Sequence, residues 1–389
     1  MISAKTSDDF VATGVKEKAF KGPRLMKVAY IIGGLPFGGI ERWLFDLCME
    51  FQKNGSVETR IFNVSGTGEL LPEYQAAGLD VKCLAHSKRA LVTYRFDTTR
   101  RLRAMLKDYA PNVIHTMHFT GNYHGRLATI GMGVPIIVHL HNVKRERRPF
   151  RRVADKVLSY LTTSYLAVSQ AVAGAAHAHH NLAGRPVQVL YNALIPERLV
   201  YAPLNLKETY GLDSPVVLSV GRYVPQKNLD LLIQAVAILR DAGQPVSLIM
   251  VGEGQERSRL ERLCSELDIT DRVVLAGYRS DVPAFLNAAD IFVMPSAYEG
   301  LPIAHLEAMY CGLPAIVSEY VPSREIAKDA CLACKLDPKD IADKITRILS
   351  DTELRDRMSR QAMAVAQEHT MQRYVRSLYD IYCNLQNNR

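Results

Sequence analysis

Short apolar runs ending near glycine, histidine or proline, each followed by a stretch of helical periodicity, recur in two series along this chain of 389 residues. That rhythm leaves few folds open. Lys27-Val-Ala-Tyr-Ile-Ile32 begins the first series and runs into Gly33-Gly34. After Leu35-Pro36-Phe37-Gly38-Gly39 the period changes, and Ile40, Trp43, Leu44, Leu47 and Cys48 fall on one helical face. Val113-Ile114, Val134–Val138 and Tyr165–Val168 read as further strands, separated by helical stretches such as Thr98–Lys107. Strands alternating with helices predict a parallel α/β sheet.

The texture breaks near residue 200, at Ile195-Pro-Glu and Tyr201-Ala-Pro203, and a second series follows: Val216–Val220, Ser247–Val251, Arg272–Leu275, Ile291–Met294 and Ala315–Val317, with helices such as Leu229–Arg240 between them. A single core stops growing at about 250–300 residues, so two doubly wound, Rossmann-like domains facing across a cleft are expected. The boundaries read as a loose extension over 1–24, a first domain over 25–198, a second over 199–370, and an amphipathic helix Met371–Leu385 within 371–389 that could pack on either domain. In open α/β sheets ligands sit beyond the carboxyl ends of the strands, so the loops after these strands are where function is expected.

With 48% hydrophobic and 23% charged residues, the chain has enough apolar material for large cores. No run approaches the roughly 18 apolar residues of a membrane span, and residues 1–24 carry no hydrophobic leader; a cytoplasmic protein is expected. The seven cysteines are scattered, which does not suggest a disulfide framework, and Cys331-Leu-Ala-Cys334 lacks the companions of a zinc site. Charge is uneven. Residues 1–200 hold 27 Lys+Arg against 15 Asp+Glu, and the remainder 21 against 25. The basic excess belongs to the first half and favours an anionic partner there.

Two loops of the second half combine groups with definite chemistry. Val216–Val220 leads into Gly221-Arg222, and Lys227-Asn228 opens the next helix. A strand end, a glycine, two cations and a helix start suit a phosphate, although an ordinary solvated loop would look the same. Beyond Ile291–Met294, Pro302 suits a first helical turn, placing Glu299 in the loop and Glu307 in about the second turn of a helix Ile303–Met309. Both carboxylates suit acceptance of hydrogen bonds from vicinal hydroxyls; a dipole-favoured acid and a solvated helix-face acid are the plainer alternative.

Gly221-Arg222, Lys227-Asn228, Glu299-Gly-Leu-Pro302, Leu306-Glu-Ala-Met309 and Cys311-Gly-Leu-Pro314 together resemble the retaining glycosyltransferases of family 4, and the resemblance covers nearly the whole chain from Lys27. It implies the GT-B fold and transfer of a sugar from a nucleotide diphosphate donor (a UDP-sugar first, a GDP-sugar second) to a hydroxyl acceptor, with retention and no cofactor. By the same resemblance Arg222 and Lys227 bind the donor diphosphate, Glu307 the ribose, and Glu299, with Gly300 and Leu301 beside it, the sugar. The backbone at Gly277-Tyr278-Arg279 meets the base, Gly38 and Gly39 approach phosphate and acceptor, and His141 lies near the reacting carbon. Arg222, Lys227, His141 and Glu299 are thus the catalytic candidates. The chain has no Asp-x-Asp triplet, which fits a diphosphate site built from Arg222 and Lys227 rather than from a metal.

His115 and His118 read as ending one strand, and His139 and His141, on a common face, as ending another. His177, His179 and His180 lie in an Ala-rich helix without acidic companions and read as surface structure. Two basic clusters remain: Lys88-Arg89, Arg95, Arg100-Arg101 and Arg103, and Lys144-Arg145, Arg147-Arg148, Arg151-Arg152 and Lys156. With His118, the residues Arg145, Arg147, Arg148, Arg151 and Arg152 are the candidates for contact with an anionic, lipid-linked acceptor or the inner-membrane surface. No nucleic-acid motif accompanies the charge. Assembly of bacterial surface polysaccharide or lipid-linked oligosaccharide is the expected setting; a small soluble natural-product acceptor, or a nucleotide-sugar-binding protein without turnover, are the alternatives.

Overall fold

A computed structural model describes residues 25–143, 148–179, 182–212 and 214–387. The extension over 1–24, and Lys144, Arg145, Arg147 and His180, lie outside them. The first sheet has seven strands: β1 Met26–Ile32, β2 Val57–Asn63, β3 Val81–Cys83, β4 Val113–Met117, β5 Ile136–Leu140, β6 Ser164–Ala167 and β7 Val187–Val189. The second has six: β8 Val216–Val220, β9 Ser247–Val251, β10 Val273–Gly277, β11 Ile291–Met294, β12 Ala315–Ser318 and β13 Cys331–Cys334. Every pairing between these strands is parallel, in the orders β3-β2-β1-β4-β5-β6-β7 and β10-β9-β8-β11-β12-β13. The fold is therefore α/β, two doubly wound sheets in succession. Helices cover both faces, so the central strands are near-continuous apolar runs, buried throughout.

Several strands and boundaries differ from the sequence expectation. The strand expected over Val134–Val138 runs from Ile136 to Leu140, because Pro135 has no N–H to give a ladder. His118 does not end a strand: β4 finishes at Met117, and His118, at φ 58°, begins the helix His118–Ala128. Pro302 is the residue before the helix Ile303–Tyr310 rather than part of its first turn. Cys331 and Cys334 are the two ends of β13, and His177 and His179 are exposed on the helix Gln170–His179.

The last helix, Met371–Asn387, returns to the first sheet. Leu194 and Thr370 form a parallel bridge, with Met371 N–H donating to Leu194 O at 2.8 Å. Beyond it Met371, Tyr374, Val375, Leu378 and Tyr382 join Tyr30, Trp43 and Phe51 in one buried cluster. The domain seam is apolar as well: Ala167, Val168 and Val172 share a cluster with Leu301, Leu306 and Met309. Among the described residues no helix is long and apolar enough to cross a membrane.

Candidate active site

Each sheet reverses its strand order once, between β1 and β4 and between β8 and β11. The crevice beyond the carboxyl ends at such a reversal is where open α/β sheets take ligands. The segments leaving these four strands are 33–38, the helix beginning at His118, 221–228 and 295–302.

On the second domain, Gly221 takes φ 153°, a conformation that disfavours a side chain, and its N–H donates to Val251 O at 2.9 Å. A 3-10 turn over Pro225–Lys227 follows, and Asn228, left-handed at φ 48°, precedes the helix Leu229–Asp241. This loop is stitched to the one after β11. Gln226 Nε2 donates to Tyr298 O at 2.7 Å, Ala297 N–H to Gln226 O at 2.8 Å, and Asn228 Nδ2 to Pro295 O at 2.9 Å. Within this frame Lys227 Nζ lies 2.8 Å from Glu299 Oε1, both largely buried. Arg222 is exposed, and its charge reaches Glu41 on the opposite domain.

Facing it, Gly38 is the extended residue before the helix Gly39–Asn54, and Glu41 sits in that helix's first turn. Glu41 is buried, its Oε1 3.6 Å from His118 Nε2. Burial pushes its carboxyl up to about 7, against the pull of Arg222, and pushes His118 down to about 4. The first-domain wall therefore holds a neutral imidazole beside a carboxyl group that titrates near neutrality. Glu41 was not among the sequence candidates. The signal was its position three residues after Gly38, the spacing of an acid that folds back over a helix start.

The two domains touch at Gly300, where a Cβ would collide with the His141 carbonyl. Asn192 Nδ2 donates to Leu301 O at 2.8 Å beside it, and Glu325 accepts from the N–H groups of Gln170 and Ala171 at 2.8 and 2.7 Å, capping a first-domain helix from the second domain. The His141 ring lies 3.9 Å from that of His139 and edge-on to Trp43. Its Nε2 is enclosed and makes no hydrogen bond among the described residues. Behind it runs a polar string: His139 Nδ1 to His115 Nε2 at 3.1 Å, His115 Nδ1 to the Tyr382 hydroxyl at 2.6 Å, and Tyr382 to the Tyr30 hydroxyl at 2.9 Å. Burial keeps His115, His139 and His141 neutral, with His115 pushed down to about 3.

Glu299 and Glu307 do not form a pair. Glu299 belongs to Lys227, whereas Glu307 lies near Asp46, Arg198 and Arg42 of the first-domain side. Burial pushes Glu307 up to about 7, Asp46 adding to the rise and the two arginines opposing it; Asp46, ion-paired with Arg198, is pushed up to about 6 by burial. The Tyr278 ring meets that of Phe37 at 4.8 Å across the cleft, and Arg279 is held by both carboxylate oxygens of Asp281 at 2.8 and 2.7 Å. Of the basic candidates, Arg148 and Arg152 are exposed. Arg151 turns inward, its Nε donating to the Tyr94 hydroxyl at 2.7 Å and its guanidinium 4.7 Å from the Phe119 ring.

A two-domain α/β protein with strand-end loops facing across a cleft defines the class, and similarity to known proteins places the chain within it. Residues 37–198 match Glycosyltransferase Family 4 and residues 206–365 match Glycosyl transferases group 1. The chain belongs to the family 4 glycosyltransferases of the GT-B fold. It is 28% identical over 254 residues to an alpha-D-kanosaminyltransferase of Streptomyces kanamyceticus, covering 59% of this chain and 65% of that one. To an Escherichia coli UDP-Gal:alpha-D-GlcNAc-diphosphoundecaprenol alpha-1,3-galactosyltransferase it is 29% identical over 269 residues, 65% of this chain and 69% of that one. The crystal structure of Anabaena Alr3699/HepE in complex with UDP superposes with a TM-score of 0.79 at 19% identity, covering 92% of this chain and all of that one. The chain spans about half to two thirds of the length of several curated relatives it matches.

Proposed function

We propose that this protein transfers a sugar from a nucleotide diphosphate donor to a hydroxyl acceptor with retention at the anomeric carbon. What carries the reading is the Lys227–Glu299 pair, set in two stitched loops at the strand reversal of the second sheet and facing Glu41 and His118 at that of the first. A largely buried ion pair beside an exposed arginine is suited to exchange partners: a diphosphate takes Lys227 and Arg222, and Glu299 is released to accept from sugar hydroxyls. Glu307 serves the ribose, its raised pKa favouring a protonated or shared-proton carboxyl near neutrality. The partly exposed His141 ring flanks the sugar.

In the reaction the bond from the anomeric carbon to the phosphate oxygen breaks and a bond to the acceptor oxygen forms on the same face. The acceptor proton passes to the departing diphosphate. Charge accumulates on that diphosphate, where the largely buried Lys227 and the exposed Arg222 stabilise it. Removing one such group typically costs about 10²–10³ in turnover, roughly 2.7–4 kcal/mol. Arg222→Ala and Glu307→Ala are expected to lose activity on that scale while melting as wild type does; full turnover in either folded variant rejects the assignment.

A UDP-sugar is the proposed donor, supported by the UDP in the HepE structure, with a GDP-sugar second. The proposed acceptor is lipid-linked, as the name of the E. coli relative indicates for that enzyme. The kanosaminyltransferase relative favours a second reading, a small soluble acceptor. Thermal-shift screening over a nucleotide-sugar panel identifies the donor by mass action. Release of sugar from that donor, its anomeric configuration read by NMR, then separates a retaining transferase from a protein that only binds.

A further inference from the structure

The helix Pro149–Leu158 turns its apolar side chains the wrong way for a globular core. Phe150, Val153 and Val157 follow i, i+3, i+7 spacing and share one face, and they are 54%, 63% and 62% exposed; Tyr160, in the turn that follows, is 65% exposed. The other face is the one that packs: Leu158 is buried, and Asp155 reaches inward to the buried Arg126 at 2.6 Å. The exposed stripe is bordered by the exposed cations Arg152 and Lys156. The patch extends to a neighbouring corner, because Tyr94 packs 5.3 Å from Phe150 and receives the hydrogen bond from Arg151. Two residues further along the chain stands Phe96, 78% exposed.

Single exposed apolar residues are normal on a protein surface, but a contiguous patch is not. Apolar side chains along one helix face with lysine and arginine beside them match the interface of a bilayer, where acyl chains lie beneath anionic headgroups. A second copy of the chain on the same face would set Arg152 and Lys156 against their own equivalents, which like charges disfavour. We propose that this face docks the protein on an anionic lipid bilayer by shallow insertion of Phe150, Val153 and Val157. Electrostatic attraction is supplied by the first half of the chain, which holds 27 Lys+Arg against 15 Asp+Glu. The chain reaches this helix a few residues after His141, so docking would bring the first-domain wall of the cleft towards the membrane.

Co-flotation of the full chain with phosphatidylcholine vesicles, with and without phosphatidylglycerol, tests the proposal. Wild type is expected to float with the anionic vesicles and to be released by salt. The combined variant Phe150→Ser, Val153→Ser, Val157→Ser should bind those vesicles on the order of tenfold or more weakly. Its donor hydrolysis should stay unchanged and its melting temperature fall at most slightly, since all three side chains are more than half exposed and Phe150 rests on the rings of Tyr94 and Tyr123 rather than in a buried cluster. Arg152→Gln with Lys156→Gln should weaken binding and flatten its salt dependence. Equal vesicle binding by the triple-serine variant overturns the proposal. So does wild type that ignores both vesicle types, or wild type that is dimeric where the triple-serine variant is monomeric. Vesicle binding and donor hydrolysis are read separately, so failure of one leaves the other standing.

Discussion

Glu41 shows how much of a site can hang on one side chain. It is buried at a helix start, 3.6 Å from a neutral His118 and within the field of Arg222 on the other domain. On the proposed assignment of Arg222, the carboxyl is protonated below about pH 7 and leaves that arginine undivided for a diphosphate; above it, a carboxylate competes for the arginine and repels the ligand. The charge of a nucleotide-sugar diphosphate does not change across this range, so the titration belongs to the protein. Donor affinity is therefore expected to fall as pH rises from 6 to 8, and Glu41→Gln to keep only the part of that dependence that comes from Glu307, which titrates in the same range. Calorimetric titration of each protein at the two pH values checks this, and a pH dependence left intact in Glu41→Gln would remove Glu41 from the donor's electrostatics.

At the level of elements, the rigid connections between loops matter more than any one helix or strand. Gly300 abuts the His141 carbonyl, so this contact, with Asn192 to Leu301 beside it, limits how near the second-domain loop comes to the first-domain wall. Gly300→Ala forces a Cβ against the His141 carbonyl, and overpacking of that kind typically costs about 1–3 kcal/mol. The expected result is a lower melting temperature together with a loss in kcat/KM, because Glu299 is displaced with its neighbour; a variant with wild-type kinetics would show that the cleft tolerates a wider seam. The strands that carry these loops were legible in the sequence. Val216–Val220, Ser247–Val251 and Ile291–Met294 have the bounds expected, since buried parallel strands are unbroken apolar runs. β2 was not legible, because Glu58-Thr-Arg60 interrupts its apolar pattern, and β3 and β7, three residues each at the sheet edges, carry too little pattern to notice. The motif residues were visible because their order and spacing resemble those of the family 4 glycosyltransferases. Their partners were not: that Glu299 answers Lys227 and Glu307 lies near Asp46 depends on how two loops and two domains meet, which spacing along one chain does not encode.

For the whole molecule, the buried histidines are divided unequally. His115, His124 and His139, with the half-buried His118 and His141, lie in the first domain, His305 in the second and His369 at the crossover between them, all held below the usual imidazole range by burial. A histidine whose folded pKa is depressed is neutral when folded and charges on unfolding, so its contribution to stability is present above about pH 6.5 and is lost as pH falls towards the folded value. Carboxyls raised by burial act in the opposite sense, stabilising at low pH and losing that contribution as pH rises, through about 6 to 7 for Glu41 and Asp46 in the first domain and Glu307 in the second; Glu50 of the first domain is raised in the same way. Five groups against three leave the first domain the more acid-labile, while one against one, with His369 at the crossover, leaves the second nearer balance. One fully buried histidine alone is worth roughly 2.7 kcal/mol over two pH units, enough to move the melting of a domain of this size by about 5–10 °C. Acidification from pH 6.5 to 4.5 is thus expected to loosen residues 26–189 and the returning helix Met371–Asn387 well before residues 216–334. Hydrogen exchange resolved by peptide and corrected for the intrinsic effect of pH reads the two domains apart. Equal loss of protection in both would mean that the histidine string is not what limits the acid stability of the fold.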